Sequence, residues 1–259
     1  MNDANPIPTQ APPLIPPYRP PIDSASQSLG ENPEEREPIP SLVAAIETIL
    51  RQPRRVMYQL RQPGSGQLIT VMVFVAIMCS LIYGVVVGSF SGGTQWWTAP
   101  VKIAGGLLIS ALICLPSLYI FACLSGSQAR LVEIVGLVAG LLMLMTILLI
   151  GFAPVAWLFS QSTESLAWMG ALHLIFWGIS TLFGLRFLEV GFSHSKARSN
   201  AGLNTWVVIF VLVMLQMTTA LRPIVGKADT FLPTEKKFFV THWQDCLKSP
   251  KQASRSLSP

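Results

Sequence analysis

Charge is what this chain has least of. Only 12% of its 259 residues are Asp, Glu, Lys or Arg, against about 25% in a soluble domain. Five runs hold none at all: 62–101, 103–129, 134–163, 165–185 and 199–221. Each can cross a bilayer core of about 30 Å, which takes roughly 20 apolar residues at ~1.5 Å rise each. The runs show no polar/apolar alternation over ten-residue segments, so a membrane barrel is excluded and helices remain. The mean hydropathy of +0.52 agrees. The reading is an all-α, polytopic helical membrane protein with about five transmembrane helices.

Chemistry-bearing motifs are also scarce. The four cysteines, Cys79, Cys114, Cys123 and Cys246, form no CxxC and no Cys/His metal pattern, and read as small apolar packing residues. No GxSxG, GxxxxGK[ST] or GxGxxG is present, which leaves no nucleophile elbow, P-loop or dinucleotide fingerprint. No catalytic, cofactor-binding or metal-ligating residue is assigned, and no cofactor is expected. The N-terminus lacks a basic stretch followed by an apolar one, so the first span is expected to be its own insertion signal. The net charge of +5 does not point to nucleic acid, because the basic residues sit beside membrane segments, where topology and anionic headgroups account for them.

Four regions follow. Residues 1–40 carry eleven of the 20 prolines and the acidic residues Glu31, Glu34, Glu35 and Glu37. Such a segment buries too little apolar surface to order itself, so a disordered cytoplasmic tail is expected. Its run from Pro12 to Pro21 favours polyproline II, the form that docks in aromatic grooves. Residues 41–61 pattern as a basic amphipathic helix capped by Ser41 and kinked at Pro53. Leu42, Ile46, Ile49, Leu50, Val56, Met57 and Leu60 approximate its apolar face; Arg51, Arg54, Arg55 and Arg61 supply the other. That helix is read as lying on the membrane surface, or packed on its own protein.

Residues 62–222 hold the spans, near 68–90, 99–124, 131–159, 166–188 and 203–221. Gly151 and Pro154 are expected to bend or end the third near residue 151. Trp96, Trp97, Trp157 and Trp206 suit an interfacial belt. In residues 223–259, Phe239, Trp243, Cys246 and Leu247 share one face of a short helix, read as a second membrane-surface or partner-docking element.

Lys and Arg set the orientation. Arg51, Arg54, Arg55, Arg61, Arg130, Arg186, Lys196 and Arg198 fall on one side and Lys102 on the other. The N-terminus is therefore expected in the cytoplasm and the C-terminus across the membrane. The basic residues of the C-terminal tail run against that bias.

Lipid is as apolar as leucine, so helices associate through close packing of small residues. Ala76, Ser80, Gly84 and Gly88 form such a stripe in span 1, Gly106 and Ser110 with Cys114 in span 2, and Gly136 and Gly140 in span 3. A tight core of spans 1 to 3 is expected, with the bulky span 5 at the periphery. Lys102 is read as snorkelling near a helix start, Glu133 as sitting at a positive helix end, and Arg186 with Glu189 as an i, i+3 pair. His173, with Trp177 one turn on, is the one titratable residue deep inside a span. It fits a polar intramembrane site, or a buried histidine bonded to a neighbouring helix.

The segment Ile49-Leu50-Arg51-Gln52-Pro53-Arg54-Arg55-Val56 through Leu60, the Leu124-Ser125-Gly126-Ser127 turn before span 3 and Pro154 within it resemble the Yip1-domain superfamily, in particular its prokaryotic members. The resemblance covers about residues 45–220. It implies a Yip1-like helical bundle, no enzymatic activity and a bacterial inner-membrane location. The Asp-Leu-Tyr-Gly-Pro element of the eukaryotic members is missing. The expected partners are the lipid bilayer and a membrane protein or further copies of the chain. The function expected is a non-enzymatic organiser of protein partners or lipids. A small transporter or permease subunit, and an intramembrane enzyme, are the alternatives.

Overall fold

The computed structural model describes residues 28–91, 95–162, 166–194 and 201–220. The Pro12–Pro21 run, Phe239, Trp243 and the rest of the C-terminal segment lie outside the described residues. Among the described residues, eight helices follow in order: α1 (Pro33–Arg36), α2 (Leu42–Arg51), α3 (Pro53–Leu60), α4 (Gly66–Ser91), α5 (Gln95–Leu124), α6 (Leu131–Ser162), α7 (Leu166–Ser193) and α8 (Ala201–Ala220). Helices α4 to α8 are each long and apolar enough to cross a membrane. The chain is an all-α integral membrane protein, with no strand among the described residues.

Local chemistry sets the helix boundaries. The Ser41 hydroxyl accepts from the Ala44 N–H at 3.2 Å and caps α2, as an N-cap serine does. Pro53 does not kink one long helix. It ends α2 and opens α3, with Gln52 between them at φ −134° and ψ 61°. A proline pushes the residue before it out of the helical region, yet suits the first turn of a helix. After α5, Gly126 takes φ 73° while Ser127 N–H bonds back to Ala122 O at 3.0 Å. This six-to-one closure needs a left-handed residue, which glycine supplies without strain. Pro154 does not end α6 either: the helix runs on to Ser162. Its 32 residues span about 48 Å, and Trp157, Leu158 and Phe159 are exposed within it.

The bundle has two distinguishable ends. At one, Arg130 donates to Arg61 O, and Arg54 reaches His194 after α7. Gly202, early in α8, meets Ser125 and Phe121 there. At the other, Gly84 touches Pro100, and Tyr83 meets His173. We call these the collar end and the far end.

Helix α4 packs on both α5 and α6, α6 on α7, and α5 on α8. Spans 1 to 3 are in mutual contact, with α4 taking the main contacts of both its neighbours and α5 meeting α6 less extensively. Helix α6 is the most enclosed, with 67% of its span buried, and α8 the least, with 22%.

Ala76, Ser80, Gly84, Gly88, Gly106, Ser110, Gly136 and Gly140 are all buried. A Cβ at Gly84 would meet the Pro100 backbone, one at Gly140 the Phe187 ring, and one at Gly136 the side chain of Leu60. The last is unexpected: the GxxxG pair of α6 receives α7 at one glycine and the collar helix α3 at the other. Trp206 departs from the interfacial reading as well. It is fully buried, stacks on Phe210 with centroids 5.0 Å apart and donates to Cys114 O at 2.8 Å.

Gly84→Ala should destabilise the bundle by about 1–3 kcal/mol, because backbone cannot yield as a side-chain tip can. Gly105→Ala, which meets nothing within 4 Å, should be neutral or slightly stabilising. Thermal unfolding of the two variants in detergent checks the contrast.

Candidate functional site

Two places gather polar side chains, one at each end. At the collar end, residues 28–40 fold back over α3, where a disordered tail to residue 40 was the expectation. The reversal turns on one carboxylate. Glu35 is buried, receives the Arg54 guanidinium at 2.7 Å and accepts from the Gly30 N–H. Gly30 stands at φ 91°, and a Cβ there would run into the Tyr58 ring. Arg36 closes the same turn by donating to Gly30 O at 2.8 Å. An acidic segment reads as solvated from composition, and the part-buried ion pair to Arg54, with the bonds of Arg55 to Glu37 and Pro38, holds this one on α3.

The four collar arginines therefore differ. Arg51 is exposed and pairs with Glu47 at 2.7 Å. Arg54 serves Glu35, the Ser28 carbonyl and His194 Nε2. Arg55 donates to the carbonyls of Glu37 and Pro38 at 3.0 Å each. Arg61 lies 4.0 Å from Glu133, which Arg130 also holds, at 2.9 Å. Glu133 does occupy the first turn of α6, where the helix dipole favours it. Ala45, Ile49, Val56, Met57 and Leu60 join the main core cluster, so the apolar face of α2 and α3 rests on the bundle. Leu42, Val43 and Leu50 stay exposed.

Burial acts to raise the Glu35 carboxyl. Hydrogen bonds from Arg54 and Gly30, with attraction to Arg54 and His194, outweigh it and hold the group below its ordinary value.

At the far end, His173 Nδ1 and Tyr83 Oη lie 2.8 Å apart, ring edge to ring face. Tyr83 belongs to a second apolar cluster with Val87, Ile103, Leu149 and Phe176. His173 thus joins α7 to α4 across the bundle. Its Nε2 has no hydrogen-bond partner among the described residues, nor has the buried Ser180 Oγ. Trp177, one turn after His173, faces a small cleft shared by α5 and α8 and lined also by Lys102, Gly106, Ser110, Met214 and Thr218. Lys102 does not snorkel to a surface. It begins seven residues after Gln95, about 10 Å along the helix, and is 2% exposed.

Sequence reading missed the partner of His173 and the burial of Lys102. A signal for the second was present: Lys102, Gly106 and Ser110 fall at i, i+4 and i+8, on the small-residue stripe that faces the bundle. Arg186 and Glu189 are both exposed near the end of α7. Among the described residues, no ion pair joins them, and no group of three or more His, Cys, Asp or Glu could hold a metal ion. The arrangement can anchor a segment at the collar and hold polar groups within the membrane at the far end. Phe239 and Trp243 lie outside the described residues. Comparison with family models, with curated proteins and with solved structures finds no match.

The depressed Glu35 carboxyl fixes a sign. Its docking energy is present above the unfolded carboxylate value, about 4.3, and is lost as pH falls through the lower folded value. Glu35→Gln should weaken docking of residues 28–38 by about 1.5–3 kcal/mol at neutral pH, as for a hydrogen bond to a charged group. Limited proteolysis after Arg36 should then be faster in the variant, and acid should lower the protection of these amides against hydrogen exchange, relative to their intrinsic rates, in the native protein.

Proposed function

We propose that this chain is a non-enzymatic integral membrane protein that organises partners at a membrane surface, presenting its Pro-rich N-terminal segment from a fixed platform. One observation carries the reading: the Glu35–Arg54 clamp roots residue 28 on the collar, so the 27 residues before it start from a defined point. A polyproline run tethered this way meets its groove at raised effective concentration. Small-residue packing without a chemical constellation agrees with a structural role. So does the family resemblance, which also supplies the proposed location, a bacterial cell membrane.

The proposed orientation puts the collar in the cytoplasm, with Arg51, Arg54, Arg55, Arg61, Arg130 and Arg186 toward that side. The partner is a membrane-associated protein or a second copy of the chain, and the bilayer is the other.

A second reading, a transport component, has one observation in its favour. Tyr83, Lys102, Ser110 and His173 are buried polar groups in the membrane-spanning part, where such groups commonly mark a path. His173→Ala with unaltered solute flux would argue against that part for the residue.

Deleting residues 1–27 should remove a stoichiometric partner from complexes purified in lipid-retaining discs while leaving thermal stability within about 0.5 kcal/mol, as for distant surface changes. Unchanged complex composition would sink the organiser reading. A reporter fused before residue 28 should be active only in the cytoplasm, and one fused after residue 259 only across the membrane.

A further inference from the structure

The outward side of α2 has no part in the clamp or in the organiser reading. Around this helix the residues fall into three arcs. Ala45, Thr48 and Ile49 are buried against the bundle. Val43, Ile46 and Leu50, at i, i+3 and i+7, form an apolar arc turned outward, with Val43 70% and Leu50 47% exposed. Glu47 and Arg51 form the third, exposed and paired with each other at 2.7 Å. At about 100° per residue the three arcs stand roughly 90–140° from one another. The bundle therefore takes only part of the apolar surface of α2. The folded-back segment 28–38 does not cover the remainder: Arg54, Arg55 and Gln59, which hold it, all belong to α3.

Depth says what meets the uncovered arc. Leu60 at the end of α3 packs where a Cβ on Gly136 would stand, and Gly136 lies about 7.5 Å along α6 from Leu131. Helix α6 exceeds the hydrocarbon core by about 18 Å. Shared between its ends, the excess puts Gly136 within about 2 Å of the core edge. Helix α2 packs on α3, and on α4 and α6 as well. The collar helices are thus seated beside the spans at the boundary of headgroups and acyl chains. Apolar exposure reaches this level on α6 itself, at Leu131 and Val132, so the lipid-facing surface of the spans continues up to the collar.

A helix lying in that boundary needs one side for its own protein, one for acyl chains and one for water. The three arcs of α2 supply these. The collar arginines are not the membrane contact in this arrangement, since Arg51 is paired within α2 and Arg54 and Arg55 are turned to the segment 28–38.

We propose that the arc of Val43, Ile46 and Leu50 is seated among the acyl chains of the collar-end leaflet, which makes α2 an in-plane lipid-binding element. The inference holds whether or not residues 1–27 recruit a partner. To test it, photoreactive benzoylphenylalanine replaces Val43 or Leu50 in the full chain, and Phe74 or Glu34 as references. Phe74 is exposed on the first span and Glu34 on α1. Each protein is reconstituted in vesicles of phosphatidylcholine and phosphatidylglycerol, irradiated, treated with alkali to hydrolyse lipid esters, and weighed by mass spectrometry. Positions 43 and 50 should keep a covalently attached fatty acid. Their yield should be within about threefold of position 74 and at least about tenfold above position 34, as for a face seated ~5–10 Å into the boundary. Both side chains project outward, so the photoreactive group displaces no packed neighbour. Fatty-acid adducts at 74 with none above the level of 34 at both 43 and 50 overturn the proposal, by placing the arc in water. Attachment to glycerophosphate alone overturns it by placing α2 above the chains, and crosslinked dimers overturn it by giving the arc to a second copy.

Discussion

Hydrocarbon offers a backbone no hydrogen-bond partner. Every N–H and C=O inside it must be satisfied within the protein, and a helix does this within one segment. The rest of this structure depends on that constraint. It also withdraws the usual force for assembly, since burying leucine against leucine gains little over burying it in lipid. Contact must come instead from places where backbones approach. Gly84 against Pro100 and Gly184 against Leu141 O are two such places. They explain why α4 and α6 carry the bundle although their hydrophobicity is spread around the whole helix. Where an interior proline removes a backbone donor, as at Pro116 in α5, neighbouring groups can re-satisfy the backbone.

Polar side chains are then sorted by what each can reach. Ser80, Ser110 and Thr146 return their hydroxyl protons to carbonyls of their own helices. They pack as small residues at little cost in unsatisfied donors. His173 cannot do so and takes its partner from α4. Such interhelical bonds average about 0.6 kcal/mol in membranes, so the Tyr83 contact sets orientation more than stability. Charges are separated by depth. Glu133, Arg61 and Arg130 lie at the collar end among exposed groups, and Lys102 lies inside.

Much of this architecture was legible in the sequence, for a physical reason. Charge-free runs report the solvent of a segment, and the four-residue stripes report which face meets another helix. Both properties are local. Ser41 as a cap and the five spans follow from them. The failures share the opposite property. That Pro53 would start a helix and not kink one depended on where the chain turns next. That Glu35 would be buried depended on Arg54, 19 residues away, and the partner of His173 lies 90 residues away. Composition marked the acidic segment as solvated, and two long-range ion pairs, Glu35 to Arg54 and Glu37 to Arg55, reversed that. Trp206 was assigned by residue type to an interface, when the Cys114 carbonyl on α5 was its actual destination.

Arg54 has a consequence beyond the order it brings to residues 28–38. Its guanidinium meets both Glu35 at the root of the N-terminal segment and His194 at the end of α7, two points 159 positions apart in the chain. His194 in turn holds Val190 O in the last turn of that helix. The root of the N-terminal segment is thus tied to the last turn of the fourth span as well as, through α3, to the first. In mechanical terms the collar is a strut between the tail and α7, and a load on the tail is shared by the end of the fourth span.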